Sequence, residues 1–228
     1  MSKPKLVKFA ELATFPNVLR NVDFRNPALV DYKGIKKDLK GKWNSDFFQN
    51  KNPIVLELGC GKGDYTVELA MRYPEKNFIG VDLKGNRLWT GAKRALDLNL
   101  KNAAFVRTRI ELLQNFFAEN EVSEIWITFP DPYPKRSKAD KRLTSPFFLD
   151  KYRQFSKKDT VIHLKTDAPD LFQYSAEVAS MPPCKILKVI EDVYENGIPV
   201  DELAIQTYYE KMHLEEGRTI RYLRFSLG

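Results

Sequence analysis

Three glycines spaced two residues apart follow a short apolar run in the segment ELGCGKGD, residues 57–64. Gly59, Gly61 and Gly63 permit turns with positive φ, and they let a ligand approach the main chain without meeting a Cβ atom. The dinucleotide pattern G-x-G-x-x-G fails because Asp64 occupies its sixth position, where a carboxylate would repel a pyrophosphate. No Lys-Ser or Lys-Thr pair follows, so the segment is not a phosphate-binding P-loop either.

Two acidic residues accompany this loop. Glu57 stands just before the glycines, and Asp82 ends the apolar run FIGVD, where a carboxylate can accept hydrogen bonds from both hydroxyls of a ribose. A ligand with a ribose, a cationic amine and a sulfonium but no phosphate fits this set, and S-adenosyl-L-methionine has that profile. A tight strand-to-helix turn without a ligand would explain the glycines alone, but not both acids.

A proline-rich acidic segment, FPDPYPKRSKADKRL, occupies residues 129–143 directly after another apolar run. Ligands of wound sheets bind beyond the carboxyl ends of the strands, so Asp131 should project into the same crevice as Glu57 and Asp82. The three prolines stiffen the loop and cannot continue a strand. A carboxylate held rigidly beside a methyl donor suggests catalysis, although a plain strand-ending turn has the same prolines.

Positive charge is concentrated next to this segment. The chain of 228 residues has 37 basic and 30 acidic side chains, a formal net charge of +7. Residues 135–158 contain 9 basic and 2 acidic side chains, whereas residues 159–228 contain 7 and 12. Cations at the rim of the crevice could hold a phosphate backbone and deliver a base to a methyl group. The alternative is a solvated loop without a nucleic-acid partner.

The candidate site residues follow or end short β-rich runs, and helix-like segments separate one run from the next. The runs are IVLEL (54–58), FIGVD (78–82), AFVRT (104–108), EIWITF (124–129) and VIHLK (161–165), followed by residues 185–194 and 218–227. The alternation predicts an α/β fold, a doubly wound, mostly parallel seven-stranded sheet of Rossmann-like type, with an antiparallel last strand. Ser145 before Pro146, and Asp167 shortly before Pro169, are typical helix starts.

The first strand is preceded by residues 1–52, which contain 11 basic side chains and no strong periodicity. We therefore predict an amino-terminal basic arm packed on, or flanking, a catalytic domain over residues 53–228. No run approaches the ~18 apolar residues that span a bilayer, and no secretory signal begins the chain. The two cysteines and two histidines are too few for a disulfide framework or a zinc site, so we expect reduced thiols, no metal and a cytoplasmic location.

The motifs, taken in order, resemble those of the bacterial tRNA (guanine-N7)-methyltransferases, which are class I S-adenosylmethionine-dependent enzymes. The similar segments are DLKGKWNSDFFQNKNP, VLELGCGKG with GVD, FPDPYPKRSKADKRLTSPFFLDKY, HLKTDAPDLFQYS and TYYEK, so the resemblance covers about residues 30–225. It implies transfer of a methyl group to N7 of a guanine in tRNA, at position 46 of the variable loop, with no obligatory protein partner. A monomer and a homodimer both remain open.

The resemblance also implies roles for individual residues. Glu57, Asp82 and Asp131 would line the cofactor site together with the glycines, and Asp131 would be catalytic. Substrate contacts would come from Lys135, Asp167, Thr207, Tyr208, Tyr209 and Glu210. RNA contacts would come from Ser137, Lys138, Ala139, Asp140, Lys141 and Arg142.

Several of these residues have alternative interpretations. Arg109 stands where the family usually has an acidic residue beside the adenine. Thr207 and Glu210 form a capping-box pattern, and Asp167 is a typical helix N-cap, without any substrate. Two other functions stay open: methylation of another RNA base or of a protein, and RNA binding without catalysis by a chain whose cofactor site is vestigial. His163, in the middle of a strand, is predicted to belong to the core.

Overall fold

Strands and helices alternate through the middle of the chain. The computed structural model describes residues 3–198 and 200–228, so residues 1 and 2 of the predicted arm and residue 199 lie outside the described part. The strands are β1 (Val18–Asn21), β2 (Leu29–Val30), β3 (Lys36–Lys37), β4 (Ile54–Leu58), β5 (Asn77–Asp82), β6 (Ala103–Arg107), β7 (Val122–Thr128), β8 (Ser156–Thr166), β9 (Lys185–Ile190) and β10 (Arg221–Ser226). The helices are α1 (Lys5–Leu12), α2 (Asp64–Arg72), α3 (Gly85–Asp97), α4 (Pro146–Arg153), α5 (Pro169–Ala179) and α6 (Tyr208–Glu215).

One mixed sheet runs through the molecule. Its strand order is β3-β2-β1-β6-β5-β4-β7-β8-β10-β9, and the five central strands from β6 to β8 are parallel, as predicted. β10 is antiparallel to both β8 and β9, which confirms the predicted direction of the last strand. The predicted count of seven strands is wrong, because the described residues form ten.

The three additional strands come from the arm. β1 pairs in parallel with β6, with Val18 opposite Phe105, and β2 and β3 continue the sheet outward. These strands have two to four residues each, too few to leave a period-two pattern in the sequence. The part of the arm that the structure describes is therefore integrated into the sheet.

Both faces of the sheet hold further contacts with the arm. On one face, the Trp89 indole of α3 donates a hydrogen bond of 2.9 Å to Glu11 of α1. On the other face, the buried ring of Trp43 stacks on Phe117 with centroids 5.1 Å apart. Its Nε1 donates to the carbonyl of Phe116 at 2.9 Å. These contacts join Glu11 and Trp43 to residues on the two faces of the sheet.

The centre of the sheet is apolar on both faces, as expected for parallel strands covered by helices. All five residues of β4 are buried. Ser145 accepts a hydrogen bond from the Phe148 amide, and Pro146 is the first residue of α4, so this predicted helix start is confirmed. His163 is buried and stacks on Trp126, with ring centroids 3.9 Å apart, which confirms its place in the core. In the described part of the chain, no helix is long and apolar enough to cross a membrane.

Candidate active site

A cavity of about 430 Å³ lies beyond the carboxyl ends of the parallel strands. This is where wound sheets bind ligands, because the loops that follow neighbouring strands meet there. The loops after β4, β5, β6 and β7 and the start of α6 form the wall. The lining includes residues 59–62, 82–84, 108–111, 128–131 and 207–209.

The glycine loop and the end of β5 are joined by a carboxylate. Gly59 and Gly61 line the cavity with φ of 71° and 54°, values that glycine adopts without steric penalty. Asp82 accepts hydrogen bonds from the amides of Gly61 at 2.9 Å and Lys84 at 2.6 Å. A carboxylate has about four acceptor positions, so Asp82 can still accept hydrogen bonds from a ligand.

Gly63 has a structural role in this arrangement. It precedes α2 with φ of 70°, and it is not among the residues that line the cavity. A Cβ atom at Gly63 would lie 2.7 Å from the Phe105 ring and 3.2 Å from the Cα of Gly91. The third glycine therefore lets α2 begin tightly against α3 and β6, and its predicted contact with the cofactor stays a prediction.

Glu57 lies behind the glycine loop and does not line the cavity. Its carboxylate accepts hydrogen bonds from the Thr66 amide at 2.7 Å and from the Thr128 hydroxyl at 3.3 Å. The side chain is buried, and burial, which disfavours the charged form, raises the pKa of Glu57 to about 8. In this structure Glu57 connects the start of α2 to the end of β7.

Replacing Glu57 with glutamine is expected to change how stability depends on pH. Between pH 4.5 and 8 the folded chain holds a proton on Glu57 that the unfolded chain releases. The free energy of unfolding should therefore fall with rising pH in this interval, by about 1.4 kcal/mol per pH unit from this group. Urea unfolding of the cofactor-free protein at pH 5, 6 and 7 measures this effect. The free energy of unfolding of the wild type, minus that of Glu57→Gln, should fall by about 1.4 kcal/mol with each pH unit. A constant difference would contradict the prediction.

Asp131 follows β7 and is exposed at the mouth of the cavity. Phe129 and Tyr133, on either side of it, have φ of 49° and 42°, a region that bulky side chains rarely adopt. Such a conformation persists only where neighbouring groups hold it in place. The amide of Phe129 donates to the carbonyl of Lys165 in β8 at 2.8 Å, which fixes the start of the loop.

Arg142 holds the other end of the same loop. Its guanidinium donates to the carbonyls of Pro132 at 3.2 Å and Tyr133 at 3.1 Å, and it lies 4.3 Å from the centroid of the Tyr174 ring. The side chain is 7% exposed. The prediction that Arg142 contacts RNA is therefore not supported by its position, because its donors face the protein.

The rest of the basic segment is at the surface. Residues 136–141 form a short 3-10 helix in which Ser137, Lys138, Asp140 and Lys141 are exposed and Ala139 is half-buried. Lys141 also borders the cavity. Lys135 is exposed and does not border this cavity.

A second cavity of about 710 Å³ adjoins the first. Both cavities are bordered by Asp131 and Tyr209. The second also contains Asp167, which accepts a hydrogen bond from Arg218 at 2.7 Å, and the His213 ring nitrogen lies 3.3 Å away. The predicted N-cap role of Asp167 is wrong. Ala168 occupies that position before α5, and the Asp167 carboxylate is turned toward Arg218 instead.

The start of α6 forms the wall between the two cavities. Thr207 caps the helix, and its hydroxyl accepts a hydrogen bond from the amide of Glu210 at 3.1 Å. Tyr208 and Tyr209 line the first cavity. Only half of the predicted capping box forms, because the side chain of Glu210 turns into the interior and lines neither cavity.

Glu210 is part of a buried ion pair beneath this wall. Its carboxylate lies 2.6 Å from the Lys165 ammonium and accepts a hydrogen bond from the Tyr194 hydroxyl at 2.7 Å. Lys165 also donates to the carbonyls of Leu203 and Ile205, at 2.8 and 3.2 Å. Both charged side chains are 0% exposed, and burial lowers the pKa of Lys165. The pair attaches α6 and the segment before it to β8.

The structure also contains site residues that the sequence interpretation did not identify. Arg87, Arg218 and Arg221 border the second cavity, and no local motif marks the two that lie near the end of the chain. Arg109 borders the first cavity with its guanidinium 4.7 Å from the Phe24 ring. Glu111 lies in the same wall, so an acidic side chain occurs two residues after the expected position.

The donors and acceptors of the first cavity fit S-adenosyl-L-methionine. Main-chain groups of glycines without a Cβ allow close approach, and Asp82 retains acceptor capacity for ribose hydroxyls. Asp131 adds negative charge near a ligand that carries a sulfonium and an ammonium. The lining of this cavity is therefore suited to the cofactor that the sequence predicts.

Known proteins match both the sequence and the fold. Residues 51–223 match the family described as "Putative methyltransferase". A tRNA (guanine-N(7)-)-methyltransferase of Bacteroides thetaiotaomicron is 48% identical, and the match covers 100% of this chain and 87% of that protein. The fold is similar to that of the 16S rRNA methyltransferase KamB, with a TM-score of 0.62, 14% identity and coverage of 84% of this chain and 95% of that one.

A 16S rRNA (adenine(1408)-N(1))-methyltransferase mutant from Catenulisporales acidiphilia, solved with S-adenosylmethionine, has the same fold. Its TM-score is 0.54 at 14% identity, with coverage of 84% of this chain and 93% of that one. At these low identities the solved structures show the fold alone, whereas the relative at 48% identity and the family match extend to function. The chain belongs to the tRNA (guanine-N7)-methyltransferase family.

Proposed function

We propose that this protein transfers a methyl group from S-adenosyl-L-methionine to N7 of a guanine at position 46 of tRNA, in the variable loop. The observation that carries the proposal is the place of Asp131, which borders both cavities. A ligand in the first cavity and a nucleoside in the second are neighbours along this border. When bound, S-adenosyl-L-methionine supplies an electrophilic methyl group on a positively charged sulfonium.

The second cavity is suited to a nucleotide. Its wall combines the carboxylates of Asp131 and Asp167 with the aromatic ring of Tyr209. Carboxylates can accept hydrogen bonds from the N–H groups of a guanine, and an aromatic ring can stack on the base. Arg87 and Arg218 border the same space and can contact phosphate oxygens.

Methylation of guanine N7 requires that the enzyme align the base with the methyl group, and it requires no proton transfer. This ring nitrogen has a free lone pair and no proton to lose, so no general base is required. Methylation brings positive charge onto the purine, and a fixed carboxylate stabilises that charge. We assign this role to Asp131, supported by the rigid conformation of its loop. Asp82, Gly59 and Gly61 are assigned to the cofactor, together with Glu57 and Gly63 as implied by the family.

The remaining substrate contacts are assigned by the family, with unequal support from the structure. Asp167 and Tyr209 border the second cavity, which supports direct contact with the nucleoside. Thr207 and Tyr208 border only the first cavity, so their contact with the nucleoside stays a prediction. Lys135 is exposed nearby, and its contact stays a prediction. Glu210 is assigned an indirect role, because its buried carboxylate fixes α6.

Exposed lysines and the buried Arg142 should behave differently when they are replaced. Lys138→Gln combined with Lys141→Gln should weaken tRNA binding and reduce the slope of log K against log salt concentration by about 1.5, since two phosphate contacts are lost. Arg142→Gln should instead lower kcat, because the loop that carries Asp131 loses its clamp, and leave the salt slope unchanged. Binding titrations at several salt concentrations, with steady-state kinetics, measure both effects. An equal loss of salt slope in the two variants would contradict this division.

Mass spectrometry of nucleosides tests the proposed function directly. Purified protein, S-adenosyl-L-methionine and unmodified tRNA transcripts should yield 7-methylguanosine, and a matched transcript with adenosine at position 46 should not. Methylated adenosine, or methylated protein without 7-methylguanosine, would favour the alternative substrates. Tight binding of tRNA without cofactor binding or methylation would favour an RNA-binding protein without catalysis.

A further inference from the structure

The glycine loop and the first residue of α6 are in direct contact across the first cavity. The amide of Tyr208 donates a hydrogen bond of 3.1 Å to the carboxylate of Asp64. The Lys62 ammonium lies 3.3 Å from the centroid of the Tyr208 ring, a close cation–π contact. All three residues line the cavity. The sequence interpretation used Asp64 only to exclude a dinucleotide, so this contact gives the residue a positive role.

Asp64 satisfies a donor that the helix itself cannot satisfy. Tyr208 is the first residue of α6, and the first amides of a helix have no partner within it. The Thr207 hydroxyl reaches the amide of Glu210 and leaves that of Tyr208 free. Asp64 therefore fixes the outer end of α6, whereas the buried Glu210 fixes the helix from inside.

We propose that Asp64 is a positioning residue that holds Tyr208 and Tyr209 at the border between the cofactor and nucleoside cavities. Through this contact, a residue beside the first cavity also fixes the position of Tyr209, which borders the second cavity. The inference rests on the proposed function for the identity of the nucleoside substrate. It goes beyond that function by assigning substrate positioning to a residue of the cofactor loop.

Two substitutions at Tyr208 isolate the hydrogen bond. Tyr208→Ala removes the ring and keeps the amide, whereas Tyr208→Pro removes both. Proline is tolerated at the first position of a helix. The preceding residue, Thr207, has φ of −70° and ψ of 164°, an extended conformation that proline permits. A comparison of the two backgrounds therefore reports on the amide donor alone.

We expect Asp64→Ala to lower kcat/KM for tRNA only when residue 208 retains its amide N–H. In the Tyr208→Ala background, Asp64→Ala should lower kcat/KM for tRNA about tenfold at saturating cofactor, as expected for a hydrogen bond to a charged acceptor. In the Tyr208→Pro background the same change should have little further effect. In the Tyr208→Ala background, Asp64→Asn keeps an acceptor oxygen and should therefore lower kcat/KM for tRNA less than Asp64→Ala does. Equal effects of Asp64→Ala in both backgrounds would overturn the proposal.

Two further measurements separate this inference from the proposed function. Hydrogen exchange followed by mass spectrometry needs no substrate, and Asp64→Ala should increase deuterium uptake in the peptide that contains residues 207–215. Calorimetry with S-adenosylhomocysteine should show less than a threefold change in affinity. Loss of cofactor affinity without faster exchange would make Asp64 a cofactor ligand and overturn its positioning role. Failure of the wild-type protein to methylate tRNA, with the exchange result intact, would count against the proposed function alone.

Discussion

Asp131→Ala is expected to lower kcat for tRNA methylation by about a hundredfold or more, the usual size of a lost electrostatic contact to a transition state. The carboxylate borders both cavities, and the loop that carries it is held at both ends, by Lys165 and Arg142. The charge that it stabilises develops only during methyl transfer. KM for tRNA and the affinity for S-adenosylhomocysteine should therefore change much less than kcat.

A nearby acidic residue provides the control for this experiment. Asp140→Ala removes an exposed carboxylate from the 3-10 helix of residues 136–141, and Asp140 borders neither cavity. We expect kcat to stay within about twofold of the wild type, because an exposed surface charge contributes little. Single-turnover kinetics with saturating protein would show whether the chemical step is slowed. Unchanged single-turnover rates in Asp131→Ala would reject the catalytic assignment.

Lys165→Met is expected to lower the free energy of unfolding by roughly 3–5 kcal/mol, the usual penalty when one partner of a buried ion pair is removed. The change would leave the Glu210 carboxylate buried without its cation, and it would remove the donor to Leu203 and Ile205. Denaturant unfolding in the absence of cofactor measures the loss. A decrease below about 1 kcal/mol would contradict the prediction.

The chain provides a matched comparison for this variant. Lys76 forms an ion pair of 2.9 Å with Glu124, in which the lysine side chain is 32% exposed. Lys76→Met should lower stability by no more than about 1 kcal/mol, because solvent screens a partly exposed pair. The double variant Lys165→Met, Glu210→Leu should recover part of the loss seen in Lys165→Met, since no uncompensated charge stays buried.

The parallel strands and the edge that carries the site could be predicted from the sequence. Apolar runs such as residues 54–58 are long enough to show strand periodicity, and the connection order of a wound sheet brings Asp82 and Asp131 to one edge. The three strands of the arm could not be predicted, because strands of two to four residues carry no readable pattern.

The direction in which individual side chains point was also beyond the sequence. Arg142 belongs to a basic run and Glu210 to a capping pattern, yet both turn into the protein. Nothing in the residue types distinguishes such a side chain from one that faces solvent. Gly63 illustrates the same limit. The sequence does not distinguish a glycine that leaves space for a ligand from one that leaves space for a neighbouring helix. These distinctions depend on packing partners that are distant in the sequence.

The pairing of β1 with β6 determines which main-chain groups are left unpaired at this edge of the sheet. Without the arm, the main-chain donors and acceptors along the outer side of β6 would be free to pair with another molecule. The arm covers them and moves the end of the sheet outward to β3, a strand of two residues. Lys36 and Lys37 form that strand, and both are exposed. A short strand with two positive charges is a poor template for a further strand, so the arm protects this edge against aggregation.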